Sequence, residues 1–162
     1  MHSQSAPRSN QNTYLIVQVG AFLLGIPSDR VVQVVRSMSI HPLPGAGPSV
    51  VGLSQFGGEP LVVLDLGHLA GMDSFRVGED SVVVVGLVGS SDRLEKVGLA
   101  VDDALRLCDL GERTDSAEAA SPQEPVVTID CRSVRLLDIS SFGGPIDGWP
   151  QRGVQTGGER NC

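Results

Sequence analysis

Short aliphatic runs separated by turn residues dominate this sequence. Each run is four to eight residues long and rich in β-branched side chains, and Gly or Pro lies at most junctions. Runs of this length and composition predict β-strands. The predicted strands are Tyr14–Val19, Phe22–Ile26, Val31–Val35, Leu61–Leu66, Ser81–Val88, Val97–Val101, Leu105–Cys108, Val126–Cys131 and Val134–Ile139.

Helices are predicted at only a few places. Pro27–Arg30 and Pro48–Ser54 each allow one helical turn, because Pro is well placed at the start of a helix. Ser116–Ala120 has some helical propensity but no apolar face. Many short strands with few helices predict an all-β fold, an antiparallel barrel or sandwich that is closed or nearly closed.

The polar and apolar regions also predict the domain organisation. Residues 1–13 are polar and are expected to form a disordered N-terminal tail, and residues 143–162 a flexible C-terminal tail. Residues 111–125 are predicted to form a long surface loop within the domain. The remaining 14–142 then make one domain, which agrees with a chain of 162 residues.

Charge and cysteine content argue against nucleic-acid binding, membrane insertion and a disulfide-bonded fold. The 12 basic and 19 acidic residues give a net charge of −7, which disfavours nucleic acid and anionic membrane surfaces as partners. The longest apolar run, Val82–Val88, is too short to cross a bilayer. Cys108, Cys131 and Cys162 are far apart and form no Cys-x-x-Cys motif. We therefore expect a cytoplasmic protein with reduced cysteines and no membrane insertion.

Motifs for nucleotide binding and nucleophilic catalysis are incomplete. Gly45–Val50 begins like a dinucleotide-binding fingerprint, but Val50 stands where the third Gly is needed. Gly52–Phe56 resembles a nucleophile elbow, but Phe56 replaces its second Gly. Neither segment supports the chemistry that it partly resembles.

The sequence gives equally little support for a metal site or for a catalytic pair of carboxylates. His41 and His68 lack companion ligands nearby in the sequence. Asp102 and Asp103 are neighbours, and adjacent strand residues point to opposite faces. We therefore predict no catalytic residue, no metal site and no cofactor, and a protein that is not an enzyme.

Five segments then follow one another in a characteristic order. They are Tyr14–Pro27, Val31–Val34, Gly52–Leu66, Ser81–Asp102 and Asp130–Asp138. They resemble, in turn, the opening hairpin, the Val-x-Glu-Ile segment, the Gly-Val-x-Asn-Leu-Arg-Gly…Pro-x-x-Asp-Leu block, the Val-x-Gly-Leu-x-Val-Asp strands and the Asp-Gly-Arg…Leu-Leu-Asp strand of one family. That family is the CheW-like domain, the coupling proteins of bacterial chemotaxis. The resemblance covers about residues 14–142.

The resemblance implies a fold and a function. The fold is two intertwined SH3-like five-stranded β-barrels that share one core. The function is that of a non-catalytic adaptor in chemosensory clusters of the cytoplasm. Its implied partners are the cytoplasmic domain of a methyl-accepting chemoreceptor, the regulatory domain of a CheA-type histidine kinase, and other CheW-like proteins.

Two departures from the family pattern bear on partner binding. Gln33 stands where the family has Glu, and Gly57 stands where it has Arg. The resemblance implies that these positions form an ion pair, and here both charges are absent together. Losing one partner would leave an unpaired, partly buried charge, whereas losing both is much less costly. One alternative is therefore a divergent member that binds only one of the two partners and caps or breaks up array rings.

The candidate partner-binding residues lie in two segments: Val31 and Gln33, and Gln55, Phe56, Gly57 and Gly58. Alternation along a strand places Val32 and Val34 in the core and leaves Val31 for a partner. Phe56, beside two glycines, is either a plug for a barrel end or an exposed anchor.

A further alternative, from another class, is a small β-barrel that binds a ligand or acts as an enzyme. Such a protein needs a polar cluster inside a cavity. A barrel interior filled with apolar side chains would argue against it.

Overall fold

Two β-sheets form the body of the protein. The structure, a computed structural model, describes residues 12–72, 81–90, 92–110, 118–121 and 124–139. Its strands are β1 (Thr13–Val19), β2 (Phe22–Pro27), β3 (Val31–Arg36), β4 (Val50–Phe56), β5 (Glu59–Asp65), β6 (Val82–Val88), β7 (Glu95–Val101), β8 (Asp103–Asp109), β9 (Glu118–Ser121), β10 (Glu124–Ile129) and β11 (Arg132–Leu136). A 3₁₀ turn spans Ser28–Arg30, and a short helix, α1, spans Leu66–Leu69.

The strand order shows how the two sheets are built. The first sheet has the order β8-β1-β2-β11-β10-β9, and the second has the order β3-β6-β7-β5-β4. Most neighbours are antiparallel, and each sheet contains one parallel pair, β2 with β11 and β5 with β7. Chain order and sheet order therefore differ, so neither sheet is a simple meander.

The core lies between the sheets and on the inner face of each. The main cluster takes Leu15 and Val17 from the first sheet and Val84 and Leu99 from the second. Two smaller clusters lie on the opposite faces, one around Ile16 in the first sheet and one around Val83 in the second. Alternation along β1 explains this division, because neighbouring strand residues point to opposite faces. In β6, four consecutive valines from Val82 are almost completely buried, so this strand packs on both faces.

The all-β prediction is confirmed, and the predicted strands correspond to nine of the observed ones. The 3₁₀ turn confirms the predicted turn at Pro27–Arg30. The prediction of a helical turn over Pro48–Ser54 is wrong, because this stretch belongs largely to β4. Helix α1 was not predicted. Asp65 caps its first turn by accepting a hydrogen bond from the backbone N–H of His68 at 3.2 Å.

Two segments differ from the expected domain layout. Within residues 111–125, predicted as a surface loop, residues 118–121 form β9 and residues 124–125 begin β10. The first sheet therefore has six strands rather than the expected five. Thr13, assigned to the N-terminal tail, opens β1. Residues 1–11 and 140–162, which include almost all of both predicted tails, lie outside the described residues.

The prediction for the face of Val32 is wrong. Val32 is 45% exposed, whereas Val31 and Val34 are partly buried and pack against the main core. The cause is a β-bulge, because Val31 pairs with Gly86 and Gln33 with Val85, so Val32 has no residue opposite it. An extra residue in a strand shifts the alternation by one position.

Candidate functional site

An open groove runs between the two edge strands of the second sheet. Strands β3 and β4 occupy opposite ends of that sheet, yet residues of both line the same groove, because the sheet curves back on itself. The groove has a volume of about 700 Å³. Its lining residues are Gln33, Val35, Met38, Ser39, His41, Leu53, Ser54, Gln55, Phe56 and Gly57.

Residues 38–41 connect the two edges. The backbone of His41 exchanges two hydrogen bonds with that of Leu53, each with an N···O distance of 2.8 Å. The buried hydroxyl of Ser54 donates a hydrogen bond of 2.6 Å to the carbonyl oxygen of Ser39. Met38 packs against the apolar cluster on this face of the sheet. These contacts hold one wall of the groove to β4.

Gly52 permits this close approach. A Cβ atom at this position would lie 2.3 Å from the carbonyl oxygen of His41, far inside van der Waals contact. Any larger residue would therefore push residues 38–41 away from β4. The first Gly of the Gly52–Gly58 segment thus has a packing role.

A two-residue turn ends the groove. Gly57 and Gly58 have φ values of +60° and +81°, and they connect the paired residues Phe56 and Glu59. Two consecutive positive φ values are typical of a type I′ hairpin, which glycine adopts without steric cost. The turn leaves the backbone of Gly57 exposed at the end of the groove.

Phe56 lies at the edge of the groove, where its ring is in contact with a cation. The ammonium group of Lys96, on β7, lies 5.6 Å from the centroid of the Phe56 ring. This geometry is a cation–π contact, in which the positive charge is attracted to the ring face. Phe56 is half-buried rather than fully enclosed, so part of its ring is accessible to a partner.

The lining carries almost no charge. Among its residues only His41 has an ionisable side chain, and the others are apolar residues, amides, hydroxyls and glycine. Gln33 and Gly57, which come from opposite edges of the sheet, both line this groove.

The groove contains most of the candidate residues. Gln33, Gln55, Phe56 and Gly57 line it together, although they come from opposite edges of the sheet. Val31 packs partly against the main core, and Gly58 lies in the turn beyond the lining. Sequence reasoning missed six lining residues: Val35, Met38, Ser39, His41, Leu53 and Ser54. One signal in the sequence is the alternation of polar and apolar residues over 37–41, which is typical of an extended segment with one buried face.

A second, smaller crevice of about 210 Å³ lies in the first sheet. Leu105 of β8 and Ile129 at the end of β10 contribute to its lining, and Arg106 forms an ion pair with Asp130 beside it. This crevice differs from the groove in being bordered by charged side chains.

The adjacent carboxylates Asp102 and Asp103 both have partners within the fold. Asp102 accepts a hydrogen bond of 2.6 Å from the backbone N–H of Gly20, and Asp103 forms an ion pair of 3.1 Å with Arg36. Within the described ranges, no group of three or more His, Cys, Asp or Glu residues is arranged to hold a metal ion. In the same part of the chain, no helix has the length and apolar character needed to span a membrane.

Comparison with known proteins identifies related sequences and folds. The model of the CheW-like domain family matches residues 13–142. Protein FrzA of Myxococcus xanthus is 32% identical over 80 residues, which are 49% of this chain and 50% of FrzA. The alignment thus spans about half the length of this curated relative.

A solved structure shares the fold. The crystal structure of the scaffolding protein TtCheW from Thermoanaerobacter tengcongensis superposes with a TM-score of 0.69. The superposition covers 86% of this chain and 97% of TtCheW at 17% identity. At this identity the similarity concerns the fold alone, and it confirms the predicted all-β, CheW-like fold.

Proposed function

Because this chain belongs to the CheW-like domain family, whose model matches residues 13–142, we propose that it is a non-catalytic adaptor of a chemosensory array. The family resemblance derived from the five segments is confirmed by that match. In this role the protein connects the cytoplasmic tip of a methyl-accepting chemoreceptor to the regulatory domain of a CheA-type histidine kinase. It acts in the cytoplasm, within chemosensory clusters that also contain other CheW-like proteins.

One observation carries this proposal. Gln33, Gln55, Phe56 and Gly57 lie in segments that correspond to two separate family motifs, and they line one exposed groove. An exposed groove with a half-buried aromatic ring at its edge suits the docking of another protein, since aromatic side chains are enriched among the residues that dominate interface energies.

The second candidate is an adaptor that binds only one of the two partners. The absence of both charges at positions 33 and 57 favours it, because a partner that needs those charges would bind weakly. Such a protein would occupy a position in an array ring without continuing it, and so would cap or break up the ring.

The alternative of a ligand-binding barrel or a small enzyme has less support than the adaptor function. The space between the sheets is filled by aliphatic side chains such as Val17, Leu24 and Leu99, each with 0% exposure. A filled, apolar interior offers a ligand neither volume nor hydrogen-bonding groups.

Calorimetric titration with two partners tests the proposal. The partners are the kinase regulatory domain and the receptor tip encoded in the same genome. Binding to both indicates an ordinary coupling protein, and binding to one indicates the ring-capping form. Binding to neither contradicts the adaptor proposal.

A matched pair of variants then tests whether the groove is the binding site. Phe56→Ala removes the ring at the groove, and Phe22→Ala removes a ring that is 60% exposed on the first sheet. We expect Phe56→Ala to weaken binding by about tenfold or more, as for an aromatic side chain that contributes strongly to an interface. Phe22→Ala should change the affinity much less, and equal effects would argue against the groove.

A further inference from the structure

We propose that the groove between β3 and β4 accepts an uncharged segment of its partner, held by apolar contacts and amide hydrogen bonds without an ion pair. This inference rests on the proposed adaptor function and specifies the chemistry of the partner segment. It depends on the chemical character of the side chains that line the groove.

The first argument is the character of the lining. Val35, Met38, Leu53 and Phe56 supply apolar surface, and none of these side chains is fully exposed. Burying such surface against an apolar side chain of a partner is favourable in proportion to the area removed from water. Met38 is especially suited to this role, because its unbranched side chain adapts to different shapes.

The second argument concerns the amides. Gln33 on β3 and Gln55 on β4 are both exposed, and they line the groove from its two opposite edges. Each amide offers both a donor and an acceptor. They can therefore satisfy backbone or side-chain polar groups of a neutral segment from both sides.

The third argument is the cost of a charge in this groove. A charged partner side chain would lose hydration on docking, and no Asp, Glu, Lys or Arg side chain lies among the lining residues to pair with it. Burying an uncompensated charge is strongly unfavourable. The groove therefore selects against charged segments as well as for neutral ones.

Gly57 and Lys96 complete this arrangement. A Cβ atom on Gly57 would meet no atom within 4 Å, so the end of the groove is open for a partner's backbone. Lys96 lies over the ring of Phe56 and outside the lining, where its charge positions the ring without entering the groove.

Salt dependence of binding tests this inference directly. The dissociation constant for each partner that binds is measured at about 50 mM and about 500 mM NaCl, a range over which exposed ion pairs become strongly screened. We expect the dissociation constant to change by less than about threefold, because the groove contains no ion pair that salt could screen.

Charge variants provide the second part of the experiment. Gln33→Glu places an unpaired carboxylate in the groove and should weaken binding by about tenfold or more. Leu107→Glu is the matched control, since it makes the same change in net charge at a side chain that is 63% exposed on the first sheet. It should leave the affinity almost unchanged.

Folding of each variant is checked by circular dichroism and by its unfolding midpoint. If Gln33→Glu does not fold, Gln55→Glu places the same charge on the exposed side of the opposite strand. A dissociation constant that rises tenfold or more with salt, or full affinity in the folded glutamate variant, would overturn the uncharged-segment inference while leaving the adaptor function intact. Binding of the unsubstituted protein to neither partner would overturn both.

Discussion

His41 and Leu53 exchange both of their backbone hydrogen bonds, with N···O distances of 2.8 Å in each direction. This pair lies outside the regular strand ladders and joins residues 38–41 to β4. It gives the groove its wall on that side. The geometry of the candidate binding site therefore depends on a backbone contact as much as on the side chains that line it.

Gly52→Ala tests this contact. The added Cβ atom would lie 2.3 Å from the carbonyl oxygen of His41, so the His41–Leu53 pair must separate. We expect the free energy of unfolding to fall by about 3 kcal/mol, at the upper end of the range for overpacking. Urea denaturation measures this loss, and binding through the groove should weaken with it.

Gly57→Ala is the control for that substitution. Its Cβ atom would meet nothing within 4 Å, and the only penalty is the positive φ of +60°. A non-glycine residue in this region costs about 1 kcal/mol. Equal losses for the two variants would show that the close approach at Gly52 has no special importance.

Arg135→Ala tests a connection between the two halves of the fold. Arg135, on β11 of the first sheet, donates a hydrogen bond from Nη2 to the carbonyl oxygen of Ala70, the residue after α1. Because the donor is charged and half-buried, its loss should lower the free energy of unfolding by about 1.5–3 kcal/mol. Arg132→Ala, at the exposed start of the same strand, should cost less than about 0.5 kcal/mol. Thermal and urea unfolding of both variants would reveal the difference, and similar losses would contradict it.

Cys131→Gly should stabilise the protein. Asp130 and Cys131 form the two-residue turn between β10 and β11, with φ values of +49° and +63°. Glycine is favoured at the second position of such a turn, so the change should raise the free energy of unfolding by about 1 kcal/mol. Cys131→Ser removes the thiol but keeps the Cβ atom. If the serine variant were stabilised equally, the backbone explanation would fail.

Tyr14 links stability to alkaline pH. Burial raises the pKa of its phenol, and the negative charges of Asp29 and Asp138 raise it further. Above about pH 10, the ordinary pKa of tyrosine, the unfolded chain loses this proton while the folded chain still holds it. The unfolded state then binds fewer protons, so the contribution of Tyr14, complete below about pH 10, is lost as the pH rises through its folded pKa.

Tyr14→Phe removes this dependence. The free energy of unfolding of the variant should fall less steeply than that of the unsubstituted protein between about pH 9 and about pH 11. Because the chain contains a single tyrosine, ultraviolet absorbance reports its ionisation directly. Parallel stability curves for the two proteins would contradict a raised pKa.

Local patterns in the sequence were sufficient for most of the strands. The unbroken apolar run around Val82–Val85 indicated a strand, and its burial on both faces follows from the same composition. Strand β4 was missed because Gly52 and Ser54 interrupt its apolar pattern. Both residues serve contacts to residues 38–41, which no local pattern reveals.

The groove could not be predicted from local sequence patterns. Gln33 and Phe56 were identified individually, through the family resemblance and through an aromatic residue beside glycines. Their joint position in one groove depends on the curvature of a sheet whose edge strands are β3 and β4. The bulge at Val32 likewise arises from pairing with β6, so strict alternation predicted the wrong face for it.

The amino-acid sequence was sufficient to establish the all-β character of this protein, the positions of most strands, the lack of charge at positions 33 and 57, and the family resemblance. Each of these depends on residue type and short-range spacing. Which candidate residues share a surface became clear from the three-dimensional arrangement, because the groove joins opposite edges of one sheet through the His41–Leu53 contact. Contacts between distant segments form when a sheet curves and closes, and the pattern of residues along the chain does not show which segments then meet.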